Sequence, residues 1–246
     1  MNSVLICEGF TDYILFKYYM KKVYNWQDVQ NSSQPLLQYG NNESQFFTCN
    51  SNFLTIMSSG GCSHLTSALE NVLNRNFNCQ PNLSDAITKI AIITDRDEIT
   101  TEVDFINEIN SKLMSYNATP DVTIKNNNWV KIHMNCSAGH SLDFDLLVMV
   151  IPSSGTGAME TCLLNAISAV DAYDKKIIDD GNAFVQNADP STKYLIHRRY
   201  VTKAKFHVYF CIRGPIEQIR SQQILMNVPW EQYPQLQNDF RLLDKL

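Results

Sequence analysis

The chain has 246 residues, 44% of them hydrophobic and 18% charged, enough apolar content for one large domain or two small ones. A net charge of −5 excludes a global positive field, so any polyanion binding has to be local. Seven cysteines without a CxxC pair point to reduced thiols in a cytoplasmic setting.

From the amino terminus, residues 3–7 read as a strand that stops at Glu8. Thr11 is placed to cap the next helix, with Asp12 at its positive end. Leu15, Phe16, Tyr19, Met20 and Val23 give that helix one buried face. Glu8 and Asp12 also interrupt the only candidate for a signal peptide, so none is expected. Residues 25–52, rich in Gln and Asn, read as a long loop or insertion with a short strand near Phe46 and Phe47. Phe53 to Met57 is the next strand, followed by Ser58-Ser59-Gly60-Gly61 and a helix burying Leu65, Leu69, Val72 and Leu73. Residues 74–87 read as loop.

Ile90 to Thr94 is a third strand and ends at Asp95-Arg96-Asp97-Glu98. A helix over Glu102–Tyr116, a polar turn region over 117–128 and a strand over Trp129–Met134 follow. Cys136 and His140 have the look of half a zinc site, but no second half stands at ligand spacing, so a polar loop is the expectation. Leu146 to Ile151 is the longest apolar run, of strand rather than membrane-span length. Pro152 to Ala158 is a turn, and a helix is expected over Met159–Tyr173. The remainder, 174–246, is irregular, with Lys203 to Cys211 read as extended and a short terminal helix carrying Phe240, Leu242 and Leu243.

Strand, turn and helix recur four times, which predicts an α/β fold with a mainly parallel sheet flanked by helices. In such a sheet every strand-to-helix turn emerges at one edge. Glu8–Asp12, Ser58–Gly61, Asp95–Glu98 and Ser153–Glu160 should therefore converge. Three carboxylates, Glu8, Asp95 and Asp97, repel one another unless a cation lies among them, and a hard ion such as Mg2+ or Mn2+ suits oxygen ligands. Glu160 reads equally as a further ligand or as a favourable charge at a helix start. Gly60 and Gly61 allow backbone amides to approach a phosphate. No Gly-Lys-Ser/Thr follows Gly155 and Gly157, which rejects a Walker loop. On an extended strand, Lys203, Lys205 and His207 would alternate onto one face and meet a phosphate. A plain exposed basic face is the competing reading, and the stronger one for Lys203.

An apolar strand ending in Glu8-Gly9 with Asp12 three residues on, then a later strand ending in Asp95-x-Asp97, resembles the Toprim domain. Gly60-Gly61 resembles that domain's glycine turn. The segments Ser154–Leu164 and Lys203–Tyr209 resemble an uncharacterised prokaryotic Toprim-like family related to the OLD nucleases. The resemblance covers most of the chain. It implies a single Toprim-like, Rossmann-like domain with a core over about 3–173 and a carboxy-terminal α/β elaboration over about 174–246. It also implies that Glu8, Asp12, Asp95, Asp97 and Glu160 hold magnesium or manganese for phosphodiester chemistry.

Three functions stay open at this level. One is a metal-dependent nuclease acting on DNA or RNA, in phage defence or repair by family inference. A second is an inactive binding or sensor subunit working with a partner protein or as a homo-oligomer. The third is an enzyme hydrolysing or transferring phosphate on a small nucleotide. Lys205 and His207 are the expected catalytic helpers and Lys203 a phosphate ligand. Retention of Glu8, Asp95 and Asp97 speaks against the second reading.

Overall fold

A computed structural model describes residues 1–29, 37–81, 85–214, 226 and 228–246. Its centre is a mixed eight-stranded sheet: β1 (Asn2–Cys7), β2 (Gln27–Asp28), β3 (Ser44–Cys49), β4 (Asn52–Ser58), β5 (Lys89–Asp95), β6 (Ala118–Pro120), β7 (Asn128–Asn135) and β8 (Ser141–Ile151). The spatial order is β2-β3-β4-β1-β5-β8-β7-β6. The four middle strands β4, β1, β5 and β8 run parallel, and the outer pairs are antiparallel.

The middle strands are apolar on both faces, as strands covered by helices on both sides must be. In β1, Leu5 and Cys7 point into one core while Val4 and Ile6 point into the other. β5 repeats this with Ala91 and Ile93 against Ile90 and Ile92, and β8 with Leu147 and Met149 against Leu146 and Val148. The register aligns Leu5 with Ile56 on one side and Ala91 on the other.

Each parallel strand is followed by a helix: α1 (Phe10–Tyr24), α2 (Leu65–Phe77), α3 (Thr101–Ser115) and α4 (Met159–Val170). α1 and α4 contribute to the first core, α2 and α3 to the second. From β1 the chain moves to β4 on one side, then returns past β1 to β5 on the other. The helices after β1 and β5 therefore lie on opposite faces, and a crevice opens between these strands at their carboxyl ends. Ligands of open α/β sheets bind at such a switch point.

The carboxy-terminal region differs from expectation. Residues 172–213 form two long helices, α5 (Ala172–Ala188) and α6 (Arg198–Arg213). Asp171 ends α4 and caps α5, its carboxylate accepting from the Tyr173 and Asp174 amides at 2.7 and 3.1 Å. The segment Lys203–Cys211 is thus helical, not extended. Phe206, Tyr209 and Phe210 recur at helical spacing and are buried, a pattern that β-branched and aromatic content obscured. α7 (Pro234–Asp239) and a terminal 3-10 turn close the first core. Phe240 packs edge-on against Phe16 and Tyr19, with ring centroids 5.5 and 5.2 Å apart.

Smaller corrections follow the same logic. α1 is capped by Gly9 and Asp12 rather than by Thr11: the Asp12 carboxylate accepts from the Gly9 amide at 2.9 Å. The region 117–128 contributes the edge strand β6, and β8 begins at Ser141, five residues before the apolar run at Leu146.

Candidate functional site

The four strand-to-helix turns do meet. They enclose a cleft of about 380 Å3 lined by Glu8, Asp12, Gly60, Gly61, Asp95, Asp97, Gly157 and Glu160. All five carboxylates singled out from the sequence face this one space. The tightest group within it is Asp12, Asp95 and Glu160, whose ligand oxygens lie within 4.8 Å of one another. Asp12 and Glu160 are buried.

Local structure explains how the acids are held. Asp12 is locked by its capping bond to Gly9. Asp95 ends β5, and its Oδ1 accepts from the Met159 amide in the first turn of α4 at 3.1 Å. Two helix amino termini, those of α1 and α4, thus direct their partial positive charge at the cluster. Glu8 accepts a long hydrogen bond from the Thr94 hydroxyl at 3.5 Å. Its backbone carbonyl is braced by the Gly61 amide at 2.8 Å and the Ser59 hydroxyl at 3.0 Å.

That brace corrects the expected role of Gly61, because an amide committed to Glu8 is not free for a phosphate. Gly60 sits at φ +83°, and a Cβ there would come within 2.7 Å of the Asn42 side chain. Asn42 in turn donates to the Ser59 carbonyl at 3.0 Å. Both glycines shape the wall of the cleft.

Burial and mutual repulsion make the carboxylates reluctant to ionise. Asp12 is raised to about 8, first by burial, then by Glu160 and Glu8. Asp95 is pushed well above the usual carboxylate range by burial, then by Asp12, Glu8 and Glu160. Glu8 is raised by burial and Asp97, against the pull of Arg199 and Lys203.

Arg96, the middle residue of Asp95-x-Asp97, was not singled out from the sequence, yet it ties two of the turns together. It is buried. Its Nε donates to the Pro152 carbonyl at 2.8 Å, and Nη2 reaches Glu102 at 2.7 Å and the Ser153 carbonyl at 3.3 Å. Its own carbonyl accepts from Gly157 at 3.0 Å. The sequence held a signal for it, since a lone arginine between two acids at a strand end demands a partner.

The opposite rim is basic and comes from α6. Arg198, Arg199, Thr202 and Lys203, at helical spacing, line the cleft. Arg198 pairs with Asp97 at 3.2 Å, with both side chains about half exposed, so the pair contributes little to stability. Lys203 is where a phosphate ligand was expected, though on a helix. Lys205 and His207 are not in the cleft. Lys205 lines an adjoining hollow with Thr156, Thr161 and Asn165, and His207 is exposed. The alternation that grouped them with Lys203 belonged to a strand that does not form. Asn42 and Glu43, from the loop after β2, also line the cleft, and no sequence pattern marked them. His64 is exposed and packs near Tyr39, with ring centroids 6.1 Å apart.

All the candidate ligands in the cleft are carboxylate oxygens, some buried and unwilling to carry charge together. A hard divalent cation fits that donor set, and Asp12, Asp95 and Glu160 are the residues placed to hold it. The fold and the cleft thus define an α/β protein with an acidic site at the carboxyl edge of its parallel strands.

The family described as "Protein of unknown function (DUF3226)" matches residues 2–246, and the chain belongs to that family. No curated protein matches it in sequence. Among solved structures it is similar to the hypothetical protein PH0156 from Pyrococcus horikoshii OT3, at 14% identity and a TM-score of 0.50, covering 99% of this chain and 98% of that one. That likeness shows a shared fold. The fosfomycin resistance protein FosX from Listeria monocytogenes matches at 9% identity and a TM-score of 0.18, over 61% of this chain and 90% of that one. This last likeness carries no structural argument. Among the described residues no helix is long and apolar enough to cross a membrane.

Proposed function

We propose that this protein is a cation-dependent phosphodiesterase acting on nucleic acid, with Asp12, Asp95 and Glu160 as the core ligands. The observation that carries this reading is the meeting of five carboxylates from separate turns in one cleft rimmed by Arg198, Arg199 and Lys203. Magnesium or manganese bound there would polarise a phosphate and activate water. Arg199 and Lys203 neutralise the phosphate and stabilise charge growing on its oxygens. Glu8, raised above the usual carboxylate range, takes a proton from the attacking water. Arg198 holds Asp97 at the mouth of the cleft. The Toprim resemblance of Glu8, Asp95 and Asp97 supports the same chemistry.

The size of the cleft favours one alternative. A volume of about 380 Å3 lies in the range of small-ligand pockets, and the net charge of −5 suits a small nucleotide better than a long duplex. Incubation of the protein with labelled DNA, RNA and nucleoside phosphates in magnesium or manganese separates the two. Cleavage of polymer that is lost in Asp95→Asn supports the phosphodiesterase. Hydrolysis of nucleotide alone moves the assignment to the small substrate.

A further inference from the structure

A second cluster of ligating groups lies at the other end of the sheet. Cys79 follows α2 by two residues, while Cys136 and His140 flank the turn joining β7 to β8. The three are 57 or more positions apart in the chain on the Cys79 side (136 − 79 = 57), yet their ligand atoms all lie within 4.8 Å of one another. This turn precedes β8, whereas the acidic cleft lies beyond its end. The 11 residues of β8 put the two places on the order of 30 Å apart.

We propose that Cys79, Cys136 and His140 form a metal site for a soft divalent ion such as zinc, separate from the acidic cleft. Two thiolates and an imidazole are the donors zinc prefers over magnesium. The spacing suits it: Cys79 Sγ lies 3.6 Å from His140 Nε2. A tetrahedral ion with bonds of about 2.3 Å to sulfur and about 2.0–2.1 Å to nitrogen holds such a pair ~3.6 Å apart. The imidazole is poorly satisfied otherwise. Among the described residues its Nδ1 is buried without a hydrogen-bond partner, and its Nε2 meets the Cys79 thiol, so coordination through Nε2 replaces a weak contact with a strong one.

The surrounding backbone is built to hold the ligands. Cys136 N donates to the His140 carbonyl at 2.9 Å, closing the turn, with Gly139 at φ +80° inside it. Ser137 N donates to the Phe77 carbonyl at 2.9 Å, and Cys79 N to the Asn76 carbonyl at 3.2 Å. Asn76 is itself fixed by paired bonds to Ile87 at 2.8 and 2.9 Å. Both thiols are free and buried. An ion here would fasten the end of α2 to the β7–β8 turn, with water in the fourth position.

The test is titration of the reduced full-length protein with cobalt, read by the thiolate-to-cobalt charge-transfer band, which carboxylate ligands do not give. Saturation at one ion per chain, displacement by zinc, loss of the band in Cys136→Ser and its persistence in Asp95→Asn are expected. His140→Gln, which keeps both thiols, should weaken cobalt binding at least tenfold and so guards against a folding defect in the serine variant. A reduced wild type without the band overturns the proposal, as does a band that survives Cys136→Ser.

Discussion

The Asp95 carboxylate accepts a hydrogen bond from the Met159 amide at 3.1 Å, across 64 positions of sequence. This bond fixes the end of β5 to the start of α4. It also sets Asp95 beside Glu160, the next residue of that helix, with Asp12 completing the group. The juxtaposition depends on the parallel order β1-β5-β8, because only neighbouring parallel strands deliver their carboxyl ends to one place.

Removing any member of this trio should weaken cation binding. Asp12→Asn, Asp95→Asn and Glu160→Gln are each expected to lower manganese affinity by at least ~10-fold, since even outer-shell partners of a metal are worth roughly 10–100-fold. Lys205→Ala and His207→Ala should leave it unchanged, because neither side chain lines the cleft. Isothermal titration calorimetry measures all five.

The pH dependence has a definite sign. Asp12 ionises near 3.8 ordinarily and is raised to about 8 in the fold. The folded state therefore binds the extra proton, and stability falls as pH rises from the first value through the second. Without divalent cation, the melting temperature should drop between pH 5 and pH 8, within the window set by 3.8 and about 8. Added manganese should raise it most at the upper end, where the ligands ionise most readily. Asp12→Asn should flatten the metal-free profile. Scanning fluorimetry across pH, with and without manganese, reads each of these.

Arg96→Met should destabilise the chain and loosen the cleft together. Breaking a fully buried ion pair costs about 3–5 kcal/mol. Glu102 is 35% exposed, so about 2 kcal/mol is the expected loss. Urea unfolding gives the stability, and calorimetry should show weaker cation binding although Arg96 is not itself a ligand.

The basic rim should separate anion binding from cation binding. Arg199→Ala and Lys203→Ala should weaken binding of a short labelled oligonucleotide and reduce its salt dependence, about one unit of slope per lost phosphate contact. Neither should weaken manganese binding, because removing positive charge beside carboxylates does not disfavour a cation. Fluorescence anisotropy at several salt concentrations, beside calorimetry, distinguishes the two effects.

Much of the site was legible because it lies where apolar runs stop. Val4–Cys7 and Ile90–Thr94 are strands too apolar to be anything but buried, so Glu8 and Asp95 had to stand at a sheet edge. Glu160 needed only the fourth strand–turn–helix unit. The helical α6 was harder to read. Val201, Phe206, Val208, Tyr209 and Phe210 are residues that also favour strands, and only tertiary burial of Phe206, Tyr209 and Phe210 decides the period. That error moved Lys205 and His207 toward the site. Arg198 and Arg199 offered two readings in the sequence, contacts to backbone phosphates or solvated charges, and they reach the rim because α6 lies across the cleft. Cys79 was invisible for a different reason: Cys136 and His140 lie on a turn that approaches it through the packing of α2 against the sheet.

Diffraction from crystals grown with manganese, collected near the manganese absorption edge, tests most directly whether these carboxylates are a cation site. Anomalous density contacted by Asp12, Asp95 and Glu160, and absent from Asp95→Asn crystals, is the expected result. A cleft without anomalous density at saturating manganese, or an ion bound elsewhere while the trio stays protonated and bare, would contradict it.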